Sequence, residues 1–412
     1  MLTIDDAIKI ALEKNFSVLL ARNEVEINKL RNNAGNAGMA PQLGLNANYG
    51  LANVDSYMEF QNGTNQDRKG AQNTNTGAGL NASWVVFDGL KMFAVKKRLA
   101  QTEKLSELQQ KNQMEELIVQ VILSYYTIVR LEKLKEAAEF SLEIVDERLK
   151  LQNLSLQIGS ASKVDVLITQ TDANKLKAEI IKYEQDIQNA KIELNVLMTK
   201  PADNNFTVPK EIQTNYNPAP EELKKSVVSN NTSILISRQQ ESIEESFLKE
   251  SKSFLLPQVQ LNGAYNFVLN QSQAGFVLLN RQLGVNAGIS ASWMLFNGNK
   301  NNRLYKEKQV SLLNSRFLID KSIQETDAMV FMQFKTFESA KKLLTLEEEN
   351  LVSAKELITI SLERFKQGKS NLIETKEVQK IHDEAQIRYI NAMYEAKKAE
   401  TMLLRANGSL IK

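Results

Sequence analysis

The sequence predicts a mainly α-helical protein that carries membrane-type β-strands and is built twice from one plan. Three observations carry this. First, the chain repeats itself. Asn15–Tyr49 aligns without a gap onto Asn231–Tyr265 at a shift of 216, with Asn15/Asn231, Arg22/Arg238, Pro41/Pro257, Leu45/Leu261 and Tyr49/Tyr265 identical. From Gly79 the shift is 209, with Gly79/Gly288, Trp84/Trp293, Phe87/Phe296, Gly89/Gly298, Gly159/Gly368 and Gln170/Gln379 identical. Second, in each copy the apolar period changes from 3.6 to 2 and back again. Third, one 3.6-period stretch per copy runs about 65–70 residues without proline, ~100 Å at helical rise. Alternating strands beside helices of that length suit a tube better than a compact globule.

The first repeat covers 1–216. Thr3 is placed as an N-cap ahead of Asp5 and Asp6, opening a helix that runs to about Gly35. Strands follow at 41–51 and 79–87. Leu43, Leu45, Ala47, Tyr49 and Leu51 alternate with Gln42, Gly44, Asn46, Asn48 and Gly50. Leu80, Ala82, Trp84 and Val86 alternate with Gly79, Asn81, Ser83 and Val85. The Asn- and Gln-rich segment Asn53–Thr76 reads as a surface loop. A long helix over 90–156 ends at Gly159, a left-handed C-cap, and a returning helix spans 163–198. The linker 199–216 carries Pro201 and Pro209; it reads equally as a spacer or as a belt around the tube.

The second repeat covers 217–412. It predicts a helix over 220–255, strands over 257–267 and 284–296, a long helix over 299–365 and a returning helix over 372–406. Val285, Ala287, Ile289, Ala291 and Trp293 supply the apolar face of the last strand.

Composition removes several function classes. With 51 basic and 49 acidic residues, the chain lacks the basic excess of a nucleic-acid binder. Cysteine is absent, so disulfides and thiolate sites are excluded. No phosphate loop, metal spacing or nucleophile triad is present, so neither a cofactor nor catalysis is expected. His382, the single histidine, falls mid-helix. No ~20-residue apolar run occurs, so no transmembrane helix is expected. No signal peptide is visible, and Met1 leads at once into a folded element.

The four strands admit two readings, hairpins on a soluble helical scaffold or part of an outer-membrane barrel. The polar face holds Asn, Ser, Gly and Gln with almost no Lys or Glu, which matches a barrel lumen. Four strands cannot close a barrel, and open edges are not tolerated in lipid. Pooling two chains gives eight strands and three chains give twelve. The small lumen-side residues favour the wider, water-filled option, hence a trimer.

At this point the chain resembles the TolC-like outer-membrane efflux family over essentially its whole length. The carriers are the duplicated plan, the strand starts at Pro41 and Pro257, and the strand exits Trp84–Gly89 and Trp293–Gly298. The tip sequences Ile158–Asp165 and Phe365–Glu374 complete the set. The resemblance implies a homotrimer whose shared 12-stranded β-barrel continues into a long α-helical barrel. It implies a passive exit duct of a tripartite efflux or secretion pump, in the outer membrane of a Gram-negative bacterium with a periplasmic extension. Partners would be outer-membrane lipid, a periplasmic adaptor and, through it, an inner-membrane transporter. The alternative is a soluble periplasmic scaffold or adaptor.

Residue by residue, the resemblance assigns Asp165, Arg364, Phe365 and Glu374 to a periplasmic gate. It assigns Gly159, Ser160, Gly368, Lys369 and Ser370 to adaptor docking. A girdle of aromatic side chains is expected from Tyr49, Trp84, Phe87, Tyr265, Trp293 and Phe296. Three-fold symmetry would gather either tip acid into a like-charged ring. A solvated helix N-terminus accounts for the same acids. Where the family often has a basic gate residue two after the glycine, this chain has Ser370.

Overall fold

A computed structural model describes residues 1–214, 216 and 229–411. The described chain forms helices α1 (Ile4–Lys14), α2 (Phe16–Arg31), α3 (Lys91–Gln157), α4 (Lys163–Leu197), α5 (Thr232–Ser253), α6 (Lys300–Lys366) and α7 (Leu372–Ala406). Strands β1 (Gln42–Glu59), β2 (Asn65–Phe87), β3 (Gln258–Ser272) and β4 (Leu279–Ser292) make one antiparallel sheet in that order. Two compact units result, Met1–Glu24 with Ser106–Ser237 and Ile319–Lys412, and Val25–Leu105 with Arg238–Leu318. Each unit draws on both sequence repeats, so the compact units cut across the 1–216 and 217–412 division.

The first unit is helical. One core joins Ala7, Ala11 and Val18 to Val121, Tyr125 and Ile128 of α3 and to Ala190 and Leu194 of α4. Burying a leucine such as Leu194 contributes about 1.5–3 kcal/mol. A second core joins Ile234 of α5 to Val330 and Phe337 of α6 and to Leu403 and Ala406 of α7. The linker packs here too. Val208 is buried in the first core, and Leu2 N–H donates to Thr207 O at 2.8 Å.

The single N-terminal helix expected to Gly35 is instead two. Asn15 turns extended, with φ −63° and ψ 129°, and ends α1. Its side chain then starts α2, because Oδ1 accepts from Ser17 N–H at 2.9 Å while Nδ2 donates to Leu197 O at 3.0 Å. Asn231 repeats the arrangement, accepting from Ser233 N–H at 3.0 Å and donating to Ala406 O at 2.9 Å. The expected helix start at 220 lies outside the described residues, and α5 ends at Ser253, two residues before the expected 255.

The second unit holds the sheet, and here the strands outrun their expected limits. Asn53–Thr76 is not a loop: β1 continues to Glu59 and β2 begins at Asn65. Polar composition suggested a loop, but backbone pairing does not require apolar side chains once the ladder is in register. The turn is tight, with Phe60 N–H donating to Thr64 O at 2.8 Å and Gly63 at φ 77°. A bulge at Lys69–Gly70 separates the Ser56–Arg68 and Val54–Ala71 pairs. Strand β3 likewise continues to Ser272, and β4 starts at Leu279 instead of 284 and stops at Ser292 instead of 296. The Trp293–Phe296 segment leaves the ladder; the Trp293 indole donates to Leu255 O at 3.2 Å. Its counterpart Trp84 stays in β2 and donates to Met39 O at 2.8 Å.

Both long helices begin one residue later than expected. Gly89 and Leu90 are both left-handed, with φ 71° and 70°, as are Gly298 and Asn299, with φ 66° and 65°. A Cβ at Gly89 would lie 2.5 Å from Ser253 O, so the approach of α5 requires glycine there as well.

Candidate functional site

The hairpin tips lie in the helical unit. At the first, Gly159 is left-handed at φ 75°. Its N–H donates to Leu156 O at 3.1 Å and the Ser160 N–H to Ser155 O at 2.8 Å. This pair of bonds closes the last turn of α3 and satisfies its free carbonyls. Ser162 then caps α4 reciprocally. Asp165 N–H donates to Ser162 Oγ at 3.1 Å, and Ser162 N–H and Oγ donate to Asp165 Oδ2 at 3.1 and 2.7 Å. The hydroxyl and backbone bonds from Ser162 hold the Asp165 carboxyl below its ordinary pKa.

The second tip is closed in the same way by Gly368 and Lys369, which donate to Phe365 O at 3.0 Å and Arg364 O at 2.9 Å. Asn371 caps α7, accepting from Glu374 N–H at 2.8 Å. Here the acid has an ionic partner: Arg364 Nη1 lies 3.1 Å from Glu374 Oε1. Asp165 and Glu374 thus share a position in the motif but differ in use, one as a cap acceptor and the other as a salt-bridge partner. Phe365 is half-buried, and the Ser370 hydroxyl is buried with no hydrogen-bond partner. Lys366 pairs with Glu147 of α3 at 3.0 Å, and that carboxylate raises its pKa.

Behind the tips, a buried polar cluster ties the two hairpins. Arg148 of α3 is 1% exposed. It donates through Nη1 to Gln379 Oε1 at 3.0 Å and faces Asp172 Oδ2 at 3.4 Å, while its Nε has no partner. Burial lowers its pKa, opposed by Asp172 and Asp383. Asp172 of α4 also binds Lys376 of α7 at 2.9 Å. Ser141 Oγ donates to Asp383 at 2.6 Å, and buried His382 lies with its ring centroid 5.7 Å from that of Phe140. Ser141, Arg148, Asp172, Lys376, Gln379 and Asp383 edge a groove of about 650 Å³ between α3, α4 and α7. The sequence reading missed Arg148, Asp172 and Lys376. The one available signal was Gln379, the repeat partner of Gln170.

In the other unit, the register sorts the sheet into two faces. Leu45 pairs with Leu80 and Leu80 with Tyr265, which pairs with Val285. Asn46 pairs with Gly79 and Gly79 with Asn266, which pairs with Gly284. One face is therefore Leu, Tyr, Trp, Val and Ile, and the other Asn, Gly, Ser and Gln. Asparagines bridge strands on the polar face: Asn48 to Asn75 at 2.7 Å and Asn75 to Asn270 at 2.6 Å. The apolar face is bare, with Leu45 81% and Val285 74% exposed.

Of the expected girdle, Trp84, Phe87, Trp293 and Phe296 fall at the end of the sheet where β2 and β4 finish. Tyr49 lies further up, opposite Thr76, and Tyr265 lies between, opposite Leu80. No helix among the described residues is long and apolar enough to cross a membrane. No cluster of metal-ligating side chains occurs among them either.

A sheet with one apolar face and a polar face free of charge from Gln42 to Asn53, with proline-free helical hairpins, fits the class of outer-membrane channels. The family model described as "Outer membrane efflux protein" matches this chain over residues 7–199 and again over 223–409. The chain belongs to that family of TolC-like efflux channels, which is a family of transport ducts and not of enzymes. Solved structures agree in fold. The outer membrane protein VceC from Vibrio cholerae aligns at TM-score 0.79 and 15% identity, covering 98% of this chain and 96% of its own. The CmeC outer membrane channel of Campylobacter jejuni aligns at 0.81 and 13%, covering 98% and 85%. The open state of the Neisseria gonorrhoeae MtrE channel aligns at 0.78 and 16%, covering 99% and 89%. A comparison with curated proteins finds no match.

Proposed function

We propose that this protein is the passive exit duct of a tripartite efflux or secretion pump, working as a homotrimer. The observation that carries the proposal is the sorted sheet. Its apolar face is exposed, its polar face carries no charge between Gln42 and Asn53, and β1 and β4 each have one free edge. In lipid, such edges must pair. Three chains would pool twelve strands, β4 of one against β1 of the next, around a lumen lined by Asn, Gly, Ser and Gln. Eight strands would leave an interior filled by side chains.

The internally duplicated protomer would continue this barrel as a helical barrel ending at the two tips. In this reading Asp165, Arg364, Phe365 and Glu374 form the gate, with the Arg364–Glu374 pair as a latch within one hairpin. The exposed small residues Gly159, Ser160 and Gly368, with Lys369 and Ser370, would receive a periplasmic adaptor, which links the duct to an inner-membrane transporter. The decisive experiment is the mass of the detergent-purified particle by light scattering, followed by conductance in a planar bilayer. A protein mass of three chains and a stable current are expected. A particle that stays monomeric and soluble without detergent would leave the scaffold reading in its place.

A further inference from the structure

We infer that Arg281 and Phe267 form a site for an anionic lipid phosphate at the outer boundary of the apolar face; this rests on the outer-membrane reading. The paired region Gln42–Val54, Ala71–Phe87, Gln258–Ser272 and Leu279–Ser292 contains a single charged side chain, Arg281. It stands on the apolar face, because it pairs with Leu269, two residues beyond the Phe267–Leu283 pair. A cation among Leu269, Leu279 and Leu283 is strongly unfavourable at mid-membrane and nearly free at the interface.

The register places Arg281 at the interface. The Trp84–Leu261 row and the Thr76–Leu269 row are eight residues apart. Eight residues of strand rise ~27 Å, or ~20 Å along the normal at a ~40° tilt. Trp84 and Arg281 thus bracket most of the ~25 Å apolar band of such barrels, with Tyr49 in the same row as Arg281. Beyond this row come the charges of the distal hairpin, Asp55, Glu59, Asp67, Arg68 and Lys69.

Two further facts say what Arg281 is held for. Its guanidinium carbon lies 5.7 Å from the Phe267 ring centroid, a cation–π contact that fixes the side chain against the face. No carboxylate of its own chain among the described residues forms an ion pair with it. A planar cation without a protein counter-ion at headgroup depth matches a phosphate, which guanidinium binds with two parallel hydrogen bonds. The source we assign is a phosphorylated lipid of the outer leaflet.

The test uses the full chain purified in detergent, as wild type and as Arg281→Gln, Arg281→Lys and Phe267→Leu. The probes are phosphatidylcholine vesicles with bisphosphorylated lipid A, the same vesicles with dephosphorylated lipid A, and inorganic phosphate. The readouts are flotation with the vesicles and retained lipid A by mass spectrometry. Wild type is expected to prefer the phosphorylated lipid about fivefold, the equivalent of ~1 kcal/mol for one basic side chain at a charged surface. Arg281→Gln should float equally well with the preference gone. Arg281→Lys and Phe267→Leu should keep part of it. Equal retention by wild type and Arg281→Gln overturns the site. Full competition by inorganic phosphate overturns the lipid as its source. Failure of wild type to float with any vesicle overturns the membrane reading itself, and the site with it.

Discussion

Replacing Asp172 by asparagine should destabilise the helical unit more than replacing Arg148 by methionine, although Arg148→Met deletes the larger polar group. Arg148 is buried, with one neutral partner in Gln379 and one carboxylate partner in Asp172 at 3.4 Å. Asp172→Asn leaves the buried guanidinium with only the Asp383 carboxylate as a counter-charge and also releases Lys376. Stripping one partner from a buried pair costs about 3–5 kcal/mol. The Asp172 side chain is 23% exposed and the bond is long, so a value at or just below that range applies, ~2–3 kcal/mol. Arg148→Met loses two hydrogen bonds at ~1 kcal/mol each, but it also removes a buried cation whose unpartnered Nε costs ~1–3 kcal/mol. Asp172 then keeps Lys376. The net change should fall within ~1 kcal/mol of zero. Guanidinium unfolding in mild detergent, followed by helical circular dichroism, gives the order of midpoints. Single-channel recording adds a functional readout, because Asp172 joins α4 to α7: Asp172→Asn should open more often at fixed voltage. A midpoint for Arg148→Met as low as that of Asp172→Asn would refute the reasoning, since it would make the cation itself the stabilising group.

Four other outcomes are expected. Val285→Arg, at mid-height on the apolar face, should cost ~2–4 kcal/mol in lipid vesicles, whereas Asn286→Lys on the opposite face should fold normally and shift conductance toward anions; equal folding of both would void the assignment of faces. Gly89→Ala should destabilise more than Gly159→Ala: both force a left-handed alanine at ~1–2 kcal/mol, but only at Gly89 does the new Cβ meet a backbone oxygen; thermal midpoints decide. The Asp165 carboxyl is depressed by Ser162, so its contribution is present above its unfolded value of about 3.9 and is lost as pH falls through the lower folded value. Amide exchange at the start of α4 should therefore quicken below about pH 4, and Ser162→Ala should flatten that profile. Glu374→Gln breaks an ion pair that is about half exposed and should change stability by less than ~1 kcal/mol. It should nevertheless reduce cation selectivity, and an unchanged reversal potential would remove Glu374 from the pore.

Signals set by a single residue's chemistry were legible in the sequence. Gly159 and Gly368 marked helix ends because only glycine turns left-handed without strain there. Period-2 alternation found the apolar rows Leu43–Leu51 and Val285–Ala291. Signals set by a pairing partner were not legible. Asn53–Thr76 is paired because β1 and β2 have already been registered by the apolar band below, so composition alone gave a loop. Trp293 fits the alternation of β4 yet lies outside it, its indole held by Leu255. Arg148 stands in a charged stretch of α3, and nothing local distinguishes it from Lys150, which is exposed. Only the convergence of α4 and α7 buries it.

The asparagine contacts show why the break at Asn15 was hidden. Asn15 bonds Leu197 and Asn231 bonds Ala406. The asparagines are related by the shift of 216 and their acceptors by the shift of 209. Trp84 with Met39 and Trp293 with Leu255 mix the two shifts in the same way. Each bond therefore spans the hairpin that carries the seven-residue length difference, and survives it, because the hairpin tip lies outside the contact. A reading that follows the chain in order meets Asn15 inside an unbroken 3.6-residue pattern and continues the helix. What ends the helix is a carbonyl 182 residues away, and the identity of Asn15 with Asn231 was its only trace in the sequence.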